Sequence, residues 1–232
     1  AKQLKASQKQ VLTLRVWNKK NLVGITTTSD LSENGLKKAL YQANLASDYG
    51  NKNELTDFSP LAKDPIKDIK QAKRSPAGIK KLLETLRFAE SELLKKHSAI
   101  KTIPYNGLSE SFYKRIYANS EGAQRSYAKS QAAIYLYARA EENNRKPRSS
   151  GSVKIGYGLE DIDINSCIDE AAEKTISHLN YSAIETGKYK VCFSPESFLT
   201  LMNAFSSIFN ARSIIDGVSI SNKDSIGEMI AN

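Results

Sequence analysis

The segment Ser182–Phe209 constrains the fold most. Within 28 residues it contains the end of a helical pattern, a short apolar run and a capped helix. Gly187 interrupts a preceding helical pattern, and the aromatic-rich run Tyr189–Phe193 predicts a short buried strand. The helical pattern that follows begins at Ser194. The segment therefore predicts a strand, a capped turn and a buried helix.

The helix predicted over residues 194–209 has strong start signals. Ser194 is a candidate N-cap, Pro195 occupies the first helical position, and Glu196 lies near the positive end of the helix dipole. The helix carries no His, Asp or Cys. Its apolar residues recur at three- and four-residue spacing and predict one buried stripe: Phe198, Leu201, Met202, Phe205, Ile208 and Phe209.

The N-terminal region predicts a hairpin followed by a helix. Val11–Trp17 and Leu22–Thr28 have strand composition, and four polar residues between them suit a hairpin loop. Asp30 or Ser32 can cap the next helix, which Gly50 closes. We expect the inner face of this helix to consist of small and aliphatic residues: Leu36, Ala39, Leu40, Ala43, Leu45 and Ala46.

A polar connection and a second helix come next. Asn51–Pro76 is polar, contains three prolines, and predicts a surface connection with at most a short helix. Ile79–Lys96 has the clearest helical pattern in the chain, with charged residues on the outer face. Its predicted inner face is Ile79, Leu82, Leu83, Leu86, Ala89 and Leu93.

The middle of the chain predicts strands. Ala99–Pro104 reads as a short strand ended by its proline, and Asn106-Gly107 as a turn. Ser111–Ala118 and Ala123–Tyr137 flank Asn119–Gly122, which suits a hairpin turn with its glycine at positive φ. The second of these strands is apolar on both faces, which favours a central position in its sheet.

The sheet region is followed by a loop, a possible strand and a helix. Asn143–Ser152 predicts an exposed polar loop, and Val153–Tyr157 could add a strand. Asn165 or Ser166 then caps a helix that runs to about Ala183. The residues expected to face inward are Ile168, Ala171, Ala172, Thr175, Ile176 and Leu179.

Composition limits the cellular setting. The 232 residues include no apolar run of about 18, so we expect no membrane span, and the basic N-terminus has no apolar signal core behind it. Cys167 and Cys192 lack metal-like spacing, and we interpret them as reduced, structural thiols of a cytoplasmic protein.

The net charge of +9 is uneven. Residues 1–104 hold 20 Lys and Arg against 10 Asp and Glu, whereas residues 105–232 hold 14 against 15. A basic half can contact nucleic acid. Solvated helix faces are the simpler interpretation, because the lysines form no compact block.

Candidate catalytic residues are few. His97 and His178 lie on different predicted helices without a partnering Glu, so we expect no metal site. Cys192 precedes a helix start, which could activate a thiol, but a buried small side chain is the commoner role of a free Cys. Gly156 and Gly158 form no phosphate-binding loop, since a third glycine is missing.

Aromatic residues on the predicted hairpin alternate with Lys and Arg. This pattern occurs in single-stranded nucleic-acid platforms, in ordinary amphipathic sheets and at subunit interfaces. We favour the structural sheet and hold these residues as possible interface or peptide contacts: Phe112, Tyr113, Tyr117, Tyr127, Tyr135 and Tyr137.

Three stretches resemble the TldD/PmbA family, also called modulators of DNA gyrase: Leu12–Ala43, Asn119–Glu142 and Cys167–Met202. The family's TldD branch is a zinc peptidase with His-Glu-x-x-x-His on the helix that corresponds to Ser194–Phe209. Here Leu199, Thr200, Leu201, Met202 and Asn203 stand in that helix. The chain therefore resembles the PmbA (TldE-like) branch, which lacks the metal motif.

This resemblance implies an α+β fold. Residues 1–186 would form an α/β N-terminal domain, with helices packed on a mostly antiparallel sheet and further elements expected upstream. Residues 187–232 would begin a β-rich second domain that the family continues, so we interpret the sequence as a fragment. The helix at the metal-motif position would present Ser194, Glu196, Phe198, Leu199, Leu201, Met202 and Phe205.

The resemblance also implies a function. The chain would be a noncatalytic subunit without a cofactor, paired with a zinc-bearing TldD-type subunit or a second copy in an assembly that processes peptides. The alternatives are a nucleic-acid or gyrase-associated binding module that uses the basic first half, and a self-sufficient peptidase that uses residues outside this sequence.

Overall fold

A computed structural model describes residues 3–50, 58–64 and 74–229. The chain divides into two compact units, Ala1–Tyr181 and Ser182–Asn232. The fold is α+β, and both sheets among the described residues are antiparallel. Of the helices described, none combines the length and hydropathy needed to cross a bilayer.

The predicted N-terminal hairpin is confirmed. Strands β1 (Leu12–Trp17) and β2 (Val23–Thr28) pair antiparallel, with Leu12 opposite Thr28. Asn18 holds the turn, because its Oδ1 accepts the Leu22 N–H at 3.1 Å. The Asn18 side chain therefore adds to the backbone hydrogen bond from the Asn18 N–H to the Leu22 carbonyl.

Helix α1 (Glu33–Ser47) begins at Ser32, whose Oγ accepts the Gly35 N–H at 3.1 Å. The predicted inner face is wrong in part. The buried residues are Gly35, Ala39, Ala43 and Ser47, whereas Leu36, Leu40 and Leu45 are exposed. Gly24 of β2 explains this: a Cβ there would lie 1.9 Å from the Ala43 carbonyl oxygen, so the helix approaches too closely for large side chains.

The segment between the first two helices falls mostly outside the described residues. Only Pro60–Lys63, a 3-10 turn, is seen within the predicted connection Asn51–Pro76 before residue 74. Helix α2 (Ile79–Lys95) is confirmed, with Ala89 and Leu93 buried.

Helix α3 (Ile164–Ser177) starts earlier than expected. Asp163 is the N-cap, and its carboxylate accepts the Ser166 N–H at 2.9 Å, so the prediction of Asn165 or Ser166 is wrong by two or three residues. The helix also ends at Ser177 rather than Ala183. There the last turn tightens, with the Leu179 N–H donating to the Ile176 carbonyl.

A three-stranded sheet forms the centre of the first unit, in the order β3 (Ile100–Ala118), β4 (Gln124–Ala140), β5 (Arg148–Gly156). Pro104 does not end β3, because it lies in a register irregularity between Thr102 and Tyr105, where the ladder needs no N–H from it.

Asn106-Gly107 is not a turn but part of β3, opposite Leu136 and Tyr135. The ring of Tyr135 lies over Gly107, where a Cβ would come within 2.3 Å of it. This glycine therefore makes room for an aromatic ring across the strand pair instead of bending the chain.

The turn Asn119–Gly122 is confirmed. The Asn119 Oδ1 accepts the N–H groups of Glu121 and Ala123, and Gly122 has φ +89°. The predicted loop over residues 143–152 is wrong in its second half, because β5 already begins at Arg148. Gly151 fits there under the ring of Tyr137, where a Cβ would lie 2.8 Å from the ring.

Helices α2 and α3 cover one face of the sheet, and β4 is its central strand, as predicted. The even-numbered residues of β4 enter the core, which closes around Leu93 of α2 and Ile168 of α3. The buried β4 side chains are Ala132, Ile134, Leu136 and Ala138.

The second unit holds α4 (Pro195–Ala204), a 3-10 turn over Ser206–Phe209 and α5 (Ala211–Ile215). The predicted strand Tyr189–Phe193 is wrong: it has no extended partner among the described residues, and its apolar side chains are exposed. A strand with unpaired backbone groups is not stable in isolation.

Candidate functional site

Helix α4 lies at the position where the sequence analysis placed the family's metal motif. Ser194 caps it, since its Oγ accepts the Ser197 N–H at 3.3 Å, and Glu196 lies in the first turn. The helix ends at Ala204, five residues earlier than predicted, because Ser206 and Ser207 favour a turn.

The apolar stripe of α4 is exposed within this unit, so the prediction of a buried helix is wrong. Phe198 is 50% exposed and Leu199 67%, and Leu201 and Phe205 are also exposed. Met202 is half-buried, and Ile208, in the following turn, is buried. No His, Cys or Asp stands on the helix, so it lacks the paired histidines of the metal motif and exposes mainly apolar side chains.

The two histidines stand at the C-terminal ends of separate helices. The Nδ1 of His97 accepts the Ala99 N–H at 3.0 Å, and His178 is the C-cap residue of α3. Across the described residues, no group of three or more His, Cys, Asp or Glu side chains is placed to hold a metal ion.

The two cysteines differ in environment. Cys167 is buried in α3, 3.8 Å from the Ser152 carbonyl oxygen, and burial raises the pKa of its thiol. A raised pKa disfavours the nucleophilic thiolate. Cys192 is exposed, which contradicts the expectation of a buried side chain.

The Gly156–Gly158 segment forms a hydrogen bond with a side chain of the same chain. The Gly158 N–H donates to Asp161 at 3.0 Å, and the Arg74 guanidinium forms two hydrogen bonds with the same carboxylate, at 2.7 and 3.0 Å. This bond to Arg74 lowers the pKa of Asp161. The segment therefore anchors the chain before α2 to the end of β5.

Sequence reasoning missed a charge cluster between β5 and α3. The Glu170 carboxylate accepts hydrogen bonds from Lys154 and from Ser152 at 2.9 Å, and it pairs with Lys174 at 2.6 Å. The bond from Lys154, then those from Lys174 and Ser152, lower the pKa of Glu170 to about 2. Lys174 lies at i+4 from Glu170, but the contact with Lys154 requires the tertiary fold.

The sheet face opposite the helices is lined by large side chains, and we call it the outer face. Strand register places Tyr105 beside Tyr137, and Tyr135 between Gly107 and Val153. Ring centroids are 6.3 Å apart for Tyr105 and Tyr137. The large side chains of the outer face are Tyr105, Tyr113, Tyr117, Tyr127, Tyr135, Tyr137, Val153 and Ile155.

Five of the six predicted contact residues thus share one face: Tyr113, Tyr117, Tyr127, Tyr135 and Tyr137. Phe112 does not, because alternation along β3 places it on the opposite face, where it lines a cavity of about 80 Å³ with Arg74 and Pro76. Sequence reasoning missed Tyr105 because it assigned a break at Pro104. The odd–even alternation across an unbroken β3 would have found it.

Part of the positive charge of residues 1–104 is neutralised by ion pairs with carboxylates. Four of its described lysines form ion pairs with carboxylates at 2.5 to 3.7 Å: Lys37, Lys63, Lys95 and Lys96. This arrangement supports the interpretation of solvated helix faces.

Two family models show to which protein family the chain is related. The model of the PmbA/TldA metallopeptidase central domain matches residues 72–179, and the model of the PmbA/TldA metallopeptidase C-terminal domain matches residues 186–232. The chain belongs to the PmbA/TldD family. The resemblance drawn from the sequence is confirmed at this level, and α4 lies inside the match to the C-terminal domain.

Solved structures show the same fold. A candidate modulator of a DNA gyrase from Thermotoga maritima superposes with TM-score 0.76 at 18% identity, over 90% of this chain and 47% of that one. A second, from Bacteroides thetaiotaomicron, gives 0.77 at 14%, over 92% and 50%. TldE from Thermococcus kodakarensis gives 0.61 at 16%, over 72% and 37%. The chain spans at most about half of each relative, and no curated protein matches it significantly.

Proposed function

We propose that the chain is a noncatalytic, PmbA/TldE-like subunit of a cytoplasmic zinc-peptidase assembly that processes peptides. One observation carries the proposal. Within the region matched to the metallopeptidase C-terminal domain, α4 contains no His, and the sequence analysis assigns Leu199 to Asn203 to the place of the TldD branch's His-Glu-x-x-x-His. Without those ligands this helix would hold no Lewis-acidic zinc and would lack the motif's glutamate as a general base.

In this proposal the zinc resides in a TldD-type partner subunit. This chain would pair with that subunit and bound the chamber in which peptide is cleaved, with residues 187–232 belonging to the second, β-rich domain. The likeness to TldE from Thermococcus kodakarensis, at 16% identity, supports the fold. The exposed apolar side chains of α4 suit contact with a peptide or a subunit surface.

Co-purification tests the proposal. The full-length protein would be tagged in its host, and the eluate analysed for stoichiometry, zinc and hydrolysis of an unfolded peptide. We expect a chain with His-Glu-x-x-x-His at equal amount, zinc in the complex, and hydrolysis that a Glu-to-Gln change in that motif abolishes. Full-length protein that is purified alone and binds zinc stoichiometrically would refute the noncatalytic role.

A matched variant tests this chain's own helix. Glu196 is the single carboxylate of α4, so Glu196→Gln removes the one acid–base group that the helix could offer. We expect the peptide hydrolysis of the complex to change by less than about twofold, because no catalytic step depends on it. Loss of hydrolysis comparable to that of the partner's motif variant would place catalysis in this chain instead.

A further inference from the structure

The outer face exposes more apolar surface than a monomer ordinarily does. Its eight large side chains are each between 41% and 68% exposed. At about 150–250 Å² for each side chain, the exposed area is on the order of 800 Å². The largest apolar patch of a typical monomer is about 300–600 Å², and one side of a standard protein interface buries about 800 Å². The area is therefore that of one interface side.

The centre of the outer face is pre-organised. Tyr135 lies over Gly107 on β3, and Tyr137 over Gly151 on β5. Both rings are thereby supported by backbone on a neighbouring strand. Aromatic side chains already held in place lose little conformational entropy on binding, which favours affinity.

Charges on the outer face have one sign. Arg115, Arg125 and Lys129 stand toward the hairpin turn, Arg139 stands at the other end of β4 in an ion pair with Glu141 at 2.9 Å, and no Asp or Glu occupies any outer-face position of the three strands. The Arg125 guanidinium donates to the Asp64 carbonyl, whereas Arg115 and Lys129 form no ion pair with a described residue. Two copies of this face, packed on each other with their hairpin turns together, would bring only cations into proximity. Such pairing is unfavourable.

The cations flank the apolar centre and do not cross it. Tyr105, Tyr135, Tyr137, Val153 and Ile155 form a region without any Lys or Arg. A single-stranded nucleic acid needs cations along the whole path of its phosphates. An aromatic centre with Arg at its margin is instead the composition of a protein interface.

We infer that the outer face docks a different protein subunit, the zinc-bearing subunit of the proposed assembly. Its contact surface would be apolar opposite Tyr135 and Val153 and would carry carboxylates opposite Arg115 and Lys129. The inference rests on the proposed function, and it adds which face of this chain forms the contact and what chemistry the other surface has.

The experiment uses the full-length chain and the separately purified His-Glu-x-x-x-His subunit of the same organism, with Kd measured by calorimetry. Val153→Glu with Ile155→Glu adds charge at the centre, at positions that are 61% and 65% exposed and tolerate polar side chains. We expect Kd to rise by about 100-fold or more. The matched control, Leu40→Glu with Tyr41→Glu on exposed positions of α1, is expected to change Kd by less than about twofold.

Charge reversal tests the second half of the inference. Arg115→Glu with Lys129→Glu is expected to raise Kd about 10-fold at low salt, with a smaller effect at high salt. Circular dichroism of each variant verifies folding.

Four outcomes would overturn the inference. Outer-face variants that bind the zinc subunit as tightly as the unmodified chain would leave the assembly intact but move its contact elsewhere. A self-association of the unmodified chain that Val153→Glu with Ile155→Glu abolishes would make the occupant a second copy, and salt-sensitive binding of single-stranded DNA on this face would make it nucleic acid. Failure of the unmodified subunits to associate at all would refute the proposed function as well.

Discussion

Glu170→Gln is the most direct test of how α3 is fastened to the sheet. The carboxylate receives hydrogen bonds from Lys154 and Ser152 on β5 and pairs with Lys174 on its own helix. The substitution keeps the size of the side chain and removes its charge. Lys154 and Lys174 then lose the carboxylate that both contact.

The size of the effect follows from the pKa. The interactions lower the pKa of Glu170 from 4.5 to about 2, and each pH unit corresponds to about 1.4 kcal/mol, so the upper bound is about 3 kcal/mol. The Glu170 side chain is 28% exposed, and solvent screening reduces the expected loss of unfolding free energy to about 1–2 kcal/mol.

The pH dependence has a defined sign. Because the pKa in the folded state is lowered, the stabilisation is complete above pH 4.5 and is lost as the pH falls toward 2. Urea unfolding, followed by circular dichroism, should show a midpoint about 0.5–1 M lower for Glu170→Gln at pH 7. The difference from the unmodified protein should shrink by more than half at pH 3.

The matched control is Glu173→Gln, an exposed glutamate on the same helix that forms no ion pair with a described residue. Its unfolding free energy should stay within about 0.5 kcal/mol of that of the unmodified protein. The reasoning is refuted if both variants shift the midpoint equally, or if the Glu170→Gln effect is the same at pH 7 and pH 3.

Two further substitutions test local packing and capping. Gly24→Ala should destabilise the protein by about 3 kcal/mol or more, because its Cβ would meet the Ala43 carbonyl at 1.9 Å, whereas Gly187→Ala, with no atom closer than 3.4 Å, should be near neutral in the same urea assay. Asp163→Ala should cost about 1 kcal/mol through loss of the α3 N-cap, and Asn165→Ala should cost almost nothing; equal losses in thermal unfolding would contradict the assignment of the cap.

Local sequence signals predicted most elements of the first unit. Helix α2, the Asn119–Gly122 turn and the central position of β4 followed from periodicity and turn chemistry, which act over a few residues. The predictions failed where the local structure depends on a residue that is distant in the sequence. Gly107 looks like a turn residue until Tyr135 is placed across from it, and the small inner face of α1 depends on Gly24 of another element.

The same distinction between local signals and contacts of distant residues applies to the candidate site. The absence of His, Cys and Asp from α4 is visible in the sequence alone. The charge cluster at Glu170 and the shared face of Tyr105 and Val153 required strand register, which a sequence read without its pairings does not supply.

The two wrong predictions for the second unit have the same physical cause. Tyr189–Phe193 and α4 have the composition of buried elements, yet their apolar side chains are exposed within residues 182–229. The spacing of apolar residues predicts that one face of a helix is buried, but it does not identify the surface that buries it. The matching solved structures are about twice the length of this chain. Under the proposed function, a peptide or a partner surface would cover these side chains, and α4, which the sequence analysis assigns to the family's metal-motif position, is where that contact would bear on catalysis.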